Sequence, residues 1–98
     1  MLIIAGVFEV DPAQRAAFID ERVAMMKRSR SEPGCIAYAF MTDPVEAGRV
    51  YLFERWESKE ALAQHIATLR ADPPSFAVAP ISAETQQYEI GAVGPIGS

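Results

Sequence analysis

The sequence predicts an α+β domain of ferredoxin-like order, βαββαβ, built on an antiparallel sheet. Three observations predict it. Segments of strand composition alternate with two segments of helical apolar spacing, and the breakers Pro33, Gly34, Pro73 and Pro74 fall between them. The middle strands are apolar on both faces. The chain has 98 residues, half of them apolar, which suffices for one core and not two.

Each element has its own warrant. Residues 2–10 are rich in β-branched side chains and end at Asp11-Pro12, a helix cap followed by proline in the first turn. A helix should follow to about residue 32, because Pro33-Gly34 cannot continue it and Ile19, Val23 and Met26 recur at helical spacing. Residues 35–42 and 49–57 read as a hairpin around the loop 43–48. Ser58 caps a second helix to about residue 70, with Leu62, Ile66 and Leu69 as its apolar stripe, and Asp72-Pro73-Pro74 interrupts it. A helical turn is expected over 75–78 and a last strand over 86–93. The domain is expected to span 1–93, with 94–98 as a frayed tail.

Charge and cysteine content narrow the function classes. Nine basic and 13 acidic residues give a net charge of −4, and neither sign forms a block. Nucleic-acid and membrane-surface partners are not expected. The lone Cys35 precludes an intramolecular disulfide and fits a reducing compartment. The apolar start has no basic leader and soon meets Glu9 and Asp11, so neither a signal peptide nor a span is read there. A cytoplasmic location is the expectation.

The two-faced apolar strands imply an assembly. Ile36, Tyr38 and Phe40 lie on one face of the second strand and Ala37, Ala39 and Met41 on the other; Val50 and Leu52 oppose Tyr51 and Phe53 in the third. Two helices cover one face only. The other should be covered by a second copy, giving a homodimer through sheet faces.

The stretch Ser29-Arg30-Ser31-Glu32-Pro33-Gly34-Cys35, then Tyr38, Asp43-Pro44, Glu54-Arg55-Trp56 and Ala61-Leu62 with His65, resembles the antibiotic biosynthesis monooxygenase family. The resemblance covers residues 1 to about 93 and implies a dimeric α+β barrel. It also implies a choice among quinol and anthrone monooxygenases, haem-degrading enzymes and an isomerase, which fold does not make. The haem-degrading members carry an axial histidine in the region matching 70–76 and an asparagine in the first strand, and this chain has neither.

Candidate residues can be weighed one at a time. Leu52, Glu54 and Trp56 share the face turned to the helices. Trp56 could wall an aromatic pocket or simply fill the core. A buried Glu54 needs a partner, and His65 or an arginine would serve. His65, the only histidine, falls at the border of the second helix's apolar stripe, where it is either a general base or a satisfied structural group. Arg22 falls within the arc of the first helix that should face the sheet, so it is paired, binds an anion, or reaches water from the core edge. Tyr38 matches a family position and could equally be packing. Cys35 has no basic neighbour in sequence and is set aside.

No phosphate loop or dinucleotide fingerprint is present, and one histidine cannot build a histidine-rich metal site. No flavin, nicotinamide, haem or metal cofactor is expected. What the resemblance implies is oxygenation without a cofactor: a pocket of Trp56, Leu52, Tyr38 and Phe76, His65 as base and Arg22 as the anion's partner, acting on a small aromatic substrate and O₂. The competing readings are an isomerase of a small carbonyl compound and a non-catalytic ligand-binding or dimerisation module.

Overall fold

The computed structural model describes residues 1–97; of the expected tail, Ser98 lies outside the described residues. The order is β1 (Leu2–Glu9), a 3-10 turn (Pro12–Gln14), α1 (Arg15–Arg30), β2 (Cys35–Thr42), β3 (Arg49–Trp56), α2 (Lys59–Ala71) and β4 (Ser82–Glu89). The four strands form one antiparallel sheet in the order β2-β3-β1-β4. This is the ferredoxin-like arrangement that the breakers and periodicities predict.

Local chemistry sets the boundaries. Asp11 accepts a hydrogen bond from the Ala13 N–H at 2.9 Å, and Pro12 begins a tight turn before α1 proper. Ser58 caps α2 by accepting from the Ala61 N–H at 3.1 Å. The helices cover one sheet face, and the core between consists of Leu2, Val10, Phe18, Met26, Tyr38, Phe40, Val50, Leu52, Trp56 and Leu62. Phe8, Phe18 and Phe40 meet in tilted and edge-on pairs with centroids 5.7–6.1 Å apart.

Four expectations are corrected. The buried stripe of α1 is Phe18, Arg22, Met26 and Ser29, while Val23 is exposed, because the helix is turned so that the 18-22-26-29 row meets the sheet. Ile36 is exposed although Tyr38 and Phe40 are buried. A β-bulge between Cys35 and Ala37 shifts the register against β3 and throws Ile36 out of the alternation. The last strand begins four residues earlier than expected, at Ser82, and every residue in it is exposed; backbone pairing to β1 holds it, so burial leaves no apolar pattern to read. No helical turn forms at 75–78. That connection runs over α1 as an irregular strap, with the Glu21 carboxylate accepting from the backbone N–H groups of Ala77 and Val78.

The outer sheet face is bare, and Val7, Met41, Tyr51 and Tyr88 stand exposed on it. Among the described residues no helix is long and apolar enough to cross a membrane.

Candidate active site

Sheet register builds the floor of a small cavity under α2. Tyr38, Glu54, Ile4 and Gln87 are consecutive cross-strand partners, so one row crosses all four strands on the helix side. Leu62, His65, Ile66 and Leu69 of α2 form the roof. The partly open space between them is about 180 Å³.

His65 is not at a border. It is 2% exposed, and its ring packs on Trp56 at 4.6 Å between centroids and on Tyr38 at 5.5 Å. The reason is the same as in α1: α2 is rotated so that Leu62 and His65 carry the burial and Ile66 looks partly outward. Nδ1 lies 3.0 and 3.2 Å from the two carboxylate oxygens of Glu32, and Nε2 lies 3.9 Å from Glu54 Oε1.

Glu54 is buried, and neither of its expected partners bonds to it. The Trp56 indole N–H donates to Oε1 at 2.9 Å, and His65 stands just beyond hydrogen-bond reach. Burial pushes the Glu54 carboxyl above the ordinary carboxylate value, while the Trp56 hydrogen bond and the nearby imidazole act against that shift. The Tyr38 hydroxyl is pushed up as well, first by burial and then by the field of Glu54. The cavity is thus lined by an imidazole and a carboxyl whose nearest nitrogen and oxygen are 3.9 Å apart.

The residues singled out from sequence separate into three groups. Tyr38, Glu54 and His65 line the cavity. Trp56, 0% exposed, lies behind the His65 ring and outside the lining, and Leu52 packs in the core along the same strand face. Arg22 and Phe76 are elsewhere. The Arg22 guanidinium is sandwiched between the Phe18 and Phe76 rings at 3.4 and 4.0 Å from their centroids, and Nη1 donates to the Phe18 carbonyl at 2.9 Å. Phe76 belongs to the strap and borders a different hollow, with Glu21, Met25 and Arg28. Arg22 therefore does not reach the cavity as the anion's partner.

One residue had no role assigned from sequence. Glu32 sits in the turn after α1, where Gly34 adopts φ +82° and lies so close to α2 that a Cβ on it would stand 2.5 Å from the Ala61 Cβ. The Glu57 N–H donates to the Gly34 carbonyl at 2.8 Å. The turn is therefore seated on the first turn of α2, and Glu32 reaches position 65 one helical turn further on. The segments Glu32-Pro33-Gly34 and Ala61-Leu62 with His65, distant in sequence, are one contact. Among the described residues no group of three or more His, Cys, Asp or Glu is arranged to hold a metal ion.

A family model described as antibiotic biosynthesis monooxygenase matches residues 1–72. An uncharacterized protein of Synechocystis is 37% identical over 67 residues, which is 68% of this chain and 46% of that protein, so the chain spans about half the length of this relative. Among solved structures, a Pseudomonas aeruginosa protein is 26% identical with a TM-score of 0.74, over 93% of this chain and 94% of that one. A Deinococcus radiodurans protein, provisionally assigned as an antibiotic biosynthesis monooxygenase, is 20% identical with a TM-score of 0.76 over the whole of both chains. A haem-degrading protein of Mycobacterium tuberculosis, solved with two haems in its active site, is 14% identical with a TM-score of 0.71, over 97% of this chain and all of that one. The last two likenesses speak for the fold alone.

Proposed function

The chain belongs to the antibiotic biosynthesis monooxygenase family, and on that premise we propose that it oxygenates a small electron-rich aromatic or quinol-type compound, using O₂ and no bound cofactor. The observation that carries the reading is the cavity of about 180 Å³ lined by both His65 and Glu54, whose Nε2 and Oε1 are 3.9 Å apart, together with Ile4, Leu62, Ile66 and Leu69. A cavity of about 150 Å³ holds a single benzene ring. One ring fits that volume, and the absence of a histidine in 70–76 and of an asparagine in the first strand argues against carrying haem degradation over from the Mycobacterium tuberculosis protein.

The chemistry follows from the geometry. A substrate hydroxyl oxygen can stand about 2.8 Å from both Nε2 and Glu54, since the two are 3.9 Å apart. Nε2 accepts the hydroxyl proton, and Glu54, whose carboxyl is biased by burial toward its protonated form, is placed to donate from that form to the resulting oxyanion. The apolar roof of Leu62, Ile66 and Leu69 lowers the local dielectric around that anion. The electron-rich anion then reduces O₂. For a hydroquinone the balance is hydroquinone plus O₂ to hydroxyquinone plus water, with all electrons supplied by the substrate. Oxygen uptake by the purified protein, scanned over single-ring quinols and hydroxylated aromatics, tests this. Uptake stoichiometric with a hydroxylated product supports it, and conversion of a carbonyl substrate without O₂ would favour an isomerase instead.

The proposal includes a homodimer through the outer sheet faces. Val7, Met41, Tyr51 and Tyr88 stand exposed around an open depression of about 350 Å³ there, and monomers rarely leave such a face uncovered. Tyr51→Glu, which sets like charges across a two-fold contact, is expected to convert a sedimenting dimer to monomer. A wild-type monomer at micromolar concentration would remove this part.

A further inference from the structure

We propose that Glu32 is a positioning residue for His65: it holds the imidazole in the tautomer with hydrogen on Nδ1, so that Nε2 is the nitrogen presented as proton acceptor to the cavity. The hydrogen-bonding inventory supports this assignment. A carboxylate only accepts, and both Glu32 oxygens lie within 3.2 Å of Nδ1, so the hydrogen of that contact belongs to the ring. Nε2 and Glu54 Oε1 are 3.9 Å apart, too far for a hydrogen bond to each other and close enough for one substrate atom beside the pair to reach both.

The surroundings hold this geometry in place. Trp56 on one side and Tyr38 on another restrict rotation of the ring, and its side chain is 3% exposed. Glu32 is fixed by the Pro33-Gly34 turn, itself seated against Ala61 and Glu57 of the α2 start. The groups facing the imidazole are therefore Glu32 from the α1–β2 turn, Glu54 and Trp56 from β3, and Tyr38 from β2. When the ring takes a proton, the carboxylate on its far side stabilises the imidazolium. This is the part an orienting carboxylate plays beside a catalytic histidine on unrelated folds.

The contribution of Glu32 to turnover rests on the function proposed above, but the tautomer does not. The chain holds one histidine, so nitrogen NMR of tag-free, ¹⁵N-histidine-labelled protein reads a single ring with no assignment problem. Spectra recorded where the ring is neutral should show the protonated-nitrogen signature at Nδ1 and the unprotonated one at Nε2, with a downfield Nδ1 proton. Glu32→Ala is expected to abolish that preference and, once a substrate is known, to lower kcat on the order of 10²-fold with KM little changed. Glu32→Gln, a milder change for the fold, should move the Nδ1 proton upfield because a neutral amide replaces the charge. A wild-type ring carrying its hydrogen on Nε2, or a ring unaffected by both variants, would overturn the inference whether or not the protein proves to be an oxygenase.

Discussion

Two cationic or potentially cationic side chains lie between the helices and the sheet, each against aromatic rings, and their surroundings differ. Arg22 is closed in: Phe18 and Phe76 sandwich the guanidinium, the Phe18 carbonyl takes one N–H, and Glu21 stands 3.9 Å away. His65 has one nitrogen engaged by Glu32 and the other 3.9 Å from Glu54, and it lines a cavity. The comparison teaches that burial of a charged or titratable group against aromatics does not by itself mark a site. What distinguishes His65 is its place in the wall of a cavity, beside a second buried titratable group, Glu54.

The largest expected difference between the two regions is in turnover. His65→Ala should reduce oxygenation on the order of 10²-fold or more while leaving the fold intact, whereas Arg22→Met should keep turnover per folded molecule within a few-fold. Steady-state oxygen uptake on both variants checks this, and equal losses would erase the distinction.

The next difference is in stability. Trp56→Ala removes a fully buried indole and should cost about 3–5 kcal/mol, while Arg22→Ala, which breaks the ring sandwich, should cost about 1–3 kcal/mol. Urea unfolding of each variant gives the two numbers. A Trp56→Ala cost below that of Arg22→Ala would mean that the rings around Arg22 hold more of the fold than those around His65.

A smaller effect belongs to Glu54 and pH. Its folded carboxyl holds a proton more tightly than the unfolded one, so stability should fall as pH rises from the ordinary value of 4.5 through the raised folded value. Glu54→Gln removes that slope. The difference in denaturation midpoint between wild type and variant, measured below and above this window, is expected to change in the variant's favour as pH rises.

The smallest effect concerns the strap. Glu21 is held below the ordinary carboxylate range by the N–H groups of Ala77 and Val78, so its grip on the strap is present above the unfolded pKa and lost as pH falls through the lower folded one. Glu21→Ala should speed proteolysis between residues 73 and 81, with little change in melting temperature and none in the His65 tautomer.

How much of this was legible in the sequence depended on whether a residue's role left a periodic trace. The hairpin of β2 and β3 and the inward set Leu52, Glu54 and Trp56 follow from alternation, which a buried face enforces. The last strand is legible from weak alternation but displaced by four residues, because both faces of β4 are exposed and only its backbone is paired. Ile36 misled because one extra residue in a bulge is invisible to a two-residue period. The helix stripes were off by a fraction of a turn, and that fraction decides whether position 65 reads as border or interior. Glu32 was hidden for a different reason: its partner is 33 positions away, joined to it only by how the turn docks.

That docking has a consequence for anyone reading this chain by mutation. Gly34 carries no functional group and does not border the cavity, yet any side chain there meets both a left-handed backbone and the Ala61 methyl. A substituted chain that still folds can relieve the clash only by prising the turn off the start of α2, and this separates Glu32 from His65. In a library scored for activity, this glycine would be indistinguishable from a member of the catalytic machinery, although its whole contribution is the side chain it lacks.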